Sequence, residues 1–168
     1  MNGYAKFDGV EMDGCGQYDT TYAGLRIEKL GSQTPNEVQT TIENSAIHDC
    51  GGFCTYIDDV SNVNLTNNVF FNARKFLVYV EKVQNYTFES NLLIGARKRD
   101  ELDLSASKMV DDVACYEQYV PIAYGTAHNV SVKNNLAQGS EGEGFVFPLT
   151  PCSELSNYPF IDNTAGSC

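Results

Sequence analysis

The sequence predicts an all-β fold, a right-handed parallel β-helix of about six turns whose repeating unit is near 23 residues. Three observations carry this. The segments ENSAIHDC, TNNVFFNA, ESNLLIGA and KNNLAQGS fall into register when aligned. The apolar residues just before them, Phe7, Ile42, Leu65, Phe88, Val132 and Phe160, are spaced 35, 23, 23, 44 and 28 residues apart. Within TTIEN, NVNLTNN and YTFESN apolar and polar residues alternate, which is the period of a strand with one buried face, and no helical period is present.

Other columns repeat with the first. Two residues earlier stand Ala5, Thr40, Val63, Tyr86, Val130 and Tyr158, and five later stand Met12, Ile47, Phe70, Leu93, Ala137 and Ala165. A further strand is expected fourteen residues on, at Tyr56, Tyr79, Leu102 and Val146. Three residues after the reference column come Asn68, Asn91, Asn135 and Asn163, expected to stack as an amide ladder at a corner. Eight after it stand the small residues Cys15, Cys50, Ala73, Ala96, Ser140 and Cys168. The long spacings are insertions. Residues 98–127 are expected as a loop outside the stack, and residues 16–37 as a second excursion in which AGLRIEKL is a strand of the first turn.

Residues 1–168 read as one β-helix domain and as part of a larger chain. The last turn stops on Cys168 in mid-coil, so further turns of the same protein are expected to cover both ends. With 11 basic and 22 acidic residues the net charge is −11, which disfavours nucleic acid as a partner. No run approaches the roughly 20 apolar residues of a membrane-spanning helix.

Cys15 and Cys50 share a column in neighbouring turns, so their α-carbons should lie about 4.8 Å apart, within reach of a disulfide. That bond is expected, and Cys115 is expected to pin the long insertion to Cys152. Cys50-x3-Cys54 with His48 has a tolerable zinc spacing but lacks a second pair. Asn64, Asn85 and Asn129 each begin an N-glycosylation sequon, and strand parity turns all three outward, which favours an extracellular address.

Two sets of residues carry candidate chemistry. Asp58 and Glu81 share a column, and two stacked carboxylates can serve as acid and base or hold Ca2+, with His48, Asp49 and Asp59 nearby in sequence. Arg74 above Arg97 and Lys75 above Lys98 form a basic ridge suited to a sulfated or carboxylated glycan, or to the solvated edge of a sheet. No other cofactor is expected.

The stretch 45–99, from SAIHDC to GARKR, resembles the β-helix region shared by fibrocystin, fibrocystin-L and the relatives of cell-surface hyaluronidases. NNLAQGSEGEGFVFPLTPC and NTAGSC resemble later turns of the fibrocystin-L type, and VEMDGCGQYDTTYAGLRIEKL the strand before the helix proper. The hyaluronidase-like members carry a His-rich strand where this chain reads QYDTTYAGLRIEKL, with no His, so the resemblance does not bring their activity with it. It implies a non-catalytic module of a cell-surface or secreted glycoprotein that contacts matrix, glycans or other surface proteins, or acts as a rigid spacer. The fold alone leaves a second reading, a polysaccharide-processing hydrolase or lyase.

Overall fold

The computed structural model describes residues 4–17, 22–28, 39–97, 122–124, 127–140, 144–146 and 159–166. Among the described residues, fifteen strands wind into two parallel sheets. The larger holds β1 (Lys6–Asp8), β3 (Leu25–Glu28), β4 (Thr40–Glu43), β6 (Thr55–Thr66), β8 (Val78–Glu89), β10 (Ile122–Tyr124), β11 (Ala127–Lys133), β13 (Phe145–Val146) and β14 (Phe160–Ile161). The smaller holds β2 (Glu11–Asp13), β5 (Ala46–Cys50), β7 (Val69–Ala73), β9 (Leu92–Ala96), β12 (Leu136–Gln138) and β15 (Thr164–Gly166). Every pairing joins one turn to the next, as in a parallel β-helix.

The observed register is that of the reference column. Phe7 pairs with Ile42, Ile42 with Leu65, Leu65 with Phe88, Phe88 with Val132, and Val132 with Phe160. Leu65 and Phe88 are fully buried, as are Phe70 and Leu93 in the facing sheet. The strand around Arg26 joins the stack as expected, with Arg26 beside Tyr56.

Corners need backbone that turns sharply, and the sequence meets this with residues that tolerate the left-handed region. Gly9, Asn44, Asn67, Ser90, Asn134 and Asp162 form one such column, with φ between 52° and 65°. Gly14, Asp49, Asn72, Gly95 and Gly139 form another. Asp59 and Asn62 bend β6, and Lys82 and Asn85 bend β8 at the same heights. Each of these 12-residue strands therefore covers two faces of the coil.

Inside the first corner runs the asparagine ladder. The backbone N–H groups of Ser45, Asn68, Asn91 and Asn135 donate to Oδ1 of the Asn in the next turn, at 3.0, 2.9, 2.8 and 2.9 Å. Each Asn Nδ2 in turn donates to a reference-column carbonyl: Asn68 to Ile42, Asn91 to Leu65, Asn135 to Phe88 and Asn163 to Val132. Asn68, Asn91 and Asn135 are at most 2% exposed, so these amides satisfy corner groups that water cannot reach.

Two expectations need correction. Ala123, not Leu102, occupies the column position beside Tyr79 and Val146. The chain has thus rejoined the stack by Ile122, so the segment 98–127 does not lie wholly outside it. The physical reason is that a spacing counts surplus residues without saying where in the turn they leave. The second concerns sulfur. Cys50 is bonded to Cys54, not to Cys15, whose thiol is free with its Sγ 3.1 Å from Cys50 Sγ. Two residues satisfy the same distance limits from Cys50, one in the turn below and one across the Gly51–Gly52 corner, and the bond goes to the nearer in sequence. The expected Cys115–Cys152 bond lies outside the described residues, as does Cys168.

Because Leu65 is sealed between Ile42 and Phe88, Leu65→Ala is expected to lower unfolding free energy by about 2–5 kcal/mol through the cavity it leaves. Urea denaturation measures this directly.

Candidate functional site

Three surfaces carry the chemistry. On the outer face of the larger sheet, β3, β6 and β8 align Glu28, Asp58 and Glu81 in one column and Arg26, Tyr56 and Tyr79 in the column two residues before it. The Tyr56 and Tyr79 rings stack at 5.2 Å, and the Arg26 guanidinium lies 5.0 Å above Tyr56 while its Nη2 reaches Glu28 Oε1 at 2.6 Å. Tyr79 donates its hydroxyl to Glu81 Oε2 at 3.3 Å. Asp58 and Glu81 are therefore brought together as the register required. Lys82 Nζ sits 3.8 Å from Asp58 Oδ1 and 3.6 Å from Glu81 Oε1, an ammonium between the two carboxylates. Partial burial pushes the Asp58 carboxyl above its usual range, against the pull of Lys82. Two carboxylates on one face thus share a single ammonium, which offsets only one of their two charges.

His48 is not part of that pair. It stands on the smaller sheet, on β5, beside β2, where Glu11 and Asp13 come from the turn below. Its Nδ1 lies 2.8 Å from Asp49 Oδ2 and 3.6 Å from Asp13 Oδ1, and its Nε2 lies 3.1 Å from Glu11 Oε1. Carboxylates at both ring nitrogens favour the protonated imidazole, its pKa raised first by Asp49 and then by Glu11. Asp49 is lowered by the same contact and by the amide that Asn72 donates to it. Asp13, His48 and Asp49 place ligand atoms within 4.8 Å of one another, so a divalent cation can stand where the proton stands. The zinc spacing of Cys50 and Cys54 leads nowhere, since the disulfide consumes both thiolates.

The basic ridge borders this cluster. Arg74 and Arg97 line a cavity of about 450 Å3 with Asp49, Asn72, Cys50 and Gly51 on one side and Gly14 and Gly16 on the other. Both arginines are exposed. Lys75 turns away, its Nζ 5.5 Å from the Phe53 ring, and Lys98 lies outside the described residues.

The sequons differ from one another in a way parity did not anticipate. Only Asn129 is exposed; Asn64 and Asn85 are half-buried. Asn85 donates to Asn62 Oδ1 at 2.9 Å and accepts from Asn129 Nδ2 at 2.7 Å, a second amide ladder on the rim of the coil. Strand parity does not report that stacking. Spacing also missed an apolar exterior patch on the smaller sheet. Val69 and Phe71 are 38% and 40% exposed, and Leu92, Ile94 and Leu136 continue their columns half-buried. The signal was present in VFF and LLI, where alternation fails.

A parallel solenoid with a buried amide spine, charged outer columns and a local disulfide defines the class as a β-helix repeat protein. Residues 1–165 match the model of the CEMIP beta-helix family, and the chain belongs to that family. No curated protein and no solved structure matches it.

The raised pKa of His48 sets a sign for stability against pH. Its contribution is complete below the unfolded-state value, about 6.5, and is lost as pH rises through the higher folded-state value. His48→Gln is accordingly expected to cost most near pH 5.5 and least at pH 9, by urea melts across that range. An equal cost at both ends would refute the charged pairing.

Proposed function

We propose that this chain is a non-catalytic extracellular β-helix module of a cell-surface or secreted glycoprotein, of the fibrocystin and fibrocystin-L kind, that contacts anionic glycans. The observation that carries this reading is the shared cavity of Arg74 and Arg97, stacked in successive turns with the Asn72 amide beside them. Guanidinium groups pair with sulfate or carboxylate oxygens two at a time, which a lysine cannot do. The net charge of −11 opposes an acidic polymer everywhere else, so contact is confined to this ridge and stays sensitive to salt. The Cys50–Cys54 bond and family membership support an extracellular address, and Asn129 is the sequon with open access. The apolar patch around Val69 and Phe71 suits contact with another protein surface, in keeping with a role as spacer or adhesion module.

The enzymatic alternative rests on Asp58, whose raised carboxyl beside Glu81 is suited to proton donation, with His48 as the further candidate on the other sheet. The ammonium of Lys82 between the two acids argues against it.

Calorimetric titration with sulfated and carboxylated oligosaccharides separates the readings. Binding that falls about a hundredfold or more in the Arg74→Ala/Arg97→Ala double variant is expected, since each charge-assisted bond is worth about 1.5–3 kcal/mol. Unchanged binding would remove the glycan role. Turnover of any polysaccharide, abolished by Asp58→Asn, would replace the scaffold reading with the enzymatic one.

A further inference from the structure

Three sulfurs meet where the first turn stacks on the second. Cys50 and Cys54 are bonded across the Gly51–Gly52 corner, and the Cys15 thiol stands 3.1 Å from Cys50 Sγ. The backbones are already aligned for a different bond. Gly51 N–H donates to the Cys15 carbonyl at 2.9 Å, two residues beyond the Asp13–His48 pair, so Cys15, just past the end of β2, stands beside Cys50 at the end of β5. That separation is about 4.8 Å, inside the α-carbon range of a disulfide. Cys50 and Cys54 are 2% and 0% exposed, while Cys15 is half-buried against Gly24, where any β-carbon would collide with its sulfur.

We propose that Cys15, Cys50 and Cys54 form a thiol–disulfide exchange centre, in which Cys15 displaces Cys54 from Cys50 and turns a staple within one corner into a staple between two turns. The step balances within the protein. Cys15 gives up its proton and its thiolate attacks Cys50 Sγ. The Cys15–Cys50 bond forms as the Cys50–Cys54 bond breaks, and the electron pair leaves on Cys54 sulfur, which takes up a proton. One disulfide and one thiol stand on each side, and no oxidant or reductant is consumed.

The two pairings differ in what they fasten. The first closes a separation of 4 residues and the second one of 35. The longer loop restrains the unfolded chain more and ties the first turn to the rest of the stack. In any thiol–disulfide exchange the thiolate is the attacking species, so the step quickens as pH rises.

Peptide mapping of the unreduced full chain tests this. After incubation at pH 7 and at pH 9, the protein is quenched with acid, unfolded and alkylated with a maleimide. Label is expected on Cys15 in some molecules and on Cys54 in others, with the two populations interconverting faster at pH 9. Cys15→Ser is expected to abolish label on all three positions, and Cys54→Ser to yield a Cys15–Cys50 bond on air oxidation. Label confined to Cys15 at both pH values, or a Cys15 bond to any cysteine other than Cys50, would overturn the proposal. The wild-type map decides the matter even if a variant fails to fold.

Discussion

A turn of this solenoid can stack on the next only where its corner backbone finds partners away from water. The amides of Asn68, Asn91, Asn135 and Asn163 supply them, each accepting a backbone N–H from the preceding turn and returning an N–H to that turn's reference-column carbonyl. Buried backbone groups left unpaired would each cost about 1–3 kcal/mol, comparable to burying a whole apolar side chain. Toward β1 the ladder ends in Ser45, whose hydroxyl takes over by accepting from Val10 N–H at 3.1 Å. The apolar columns gain their regular contact because the corner holds successive turns at one height.

Function follows from the same geometry at the outside of the coil. One turn supplies one rung, so any residue type that recurs at a given column becomes a row of like groups at strand spacing. Tyr56 and Tyr79 thereby become a stack, Arg74 and Arg97 one wall of a cavity, and Asp58 and Glu81 a pair that needs Lys82 to be tolerated. The His48 cluster obeys the same rule: Glu11 and Asp13 of one turn meet His48 and Asp49 of the next and favour the charged imidazole. A rigid array of this kind presents charges at fixed intervals along the coil.

Much of this was legible in the sequence because a strand has a period of two and a turn has a period near 23 residues. Leu65 over Phe88 and Asn68 over Asn91 follow from counting alone. What escaped counting has specific causes. Leu102 was placed where Ala123 stands because the surplus between Phe88 and Val132 has a length but no address. Asn85 is half-buried because it stands in an amide ladder between Asn62 and Asn129, a stacking that strand parity does not report. Cys15 was expected as the partner of Cys50 because the two share a column, whereas a count of columns is blind to a bond across the tight corner to Cys54. The His48 cluster draws on residues 35 or more positions apart whose side chains converge only when the columns are given faces.

Amide hydrogen exchange read residue by residue tests the central claim, that the buried ladder holds the stack together. The backbone N–H groups of Asn68, Asn91 and Asn135 donate to side-chain oxygens inside the corner. The account requires them to exchange among the slowest in the protein, through global unfolding, as slowly as the N–H groups of the central strands β6 and β8. Exchange of these three amides at the rate of unprotected peptide N–H groups, while β6 and β8 stay protected, would contradict it.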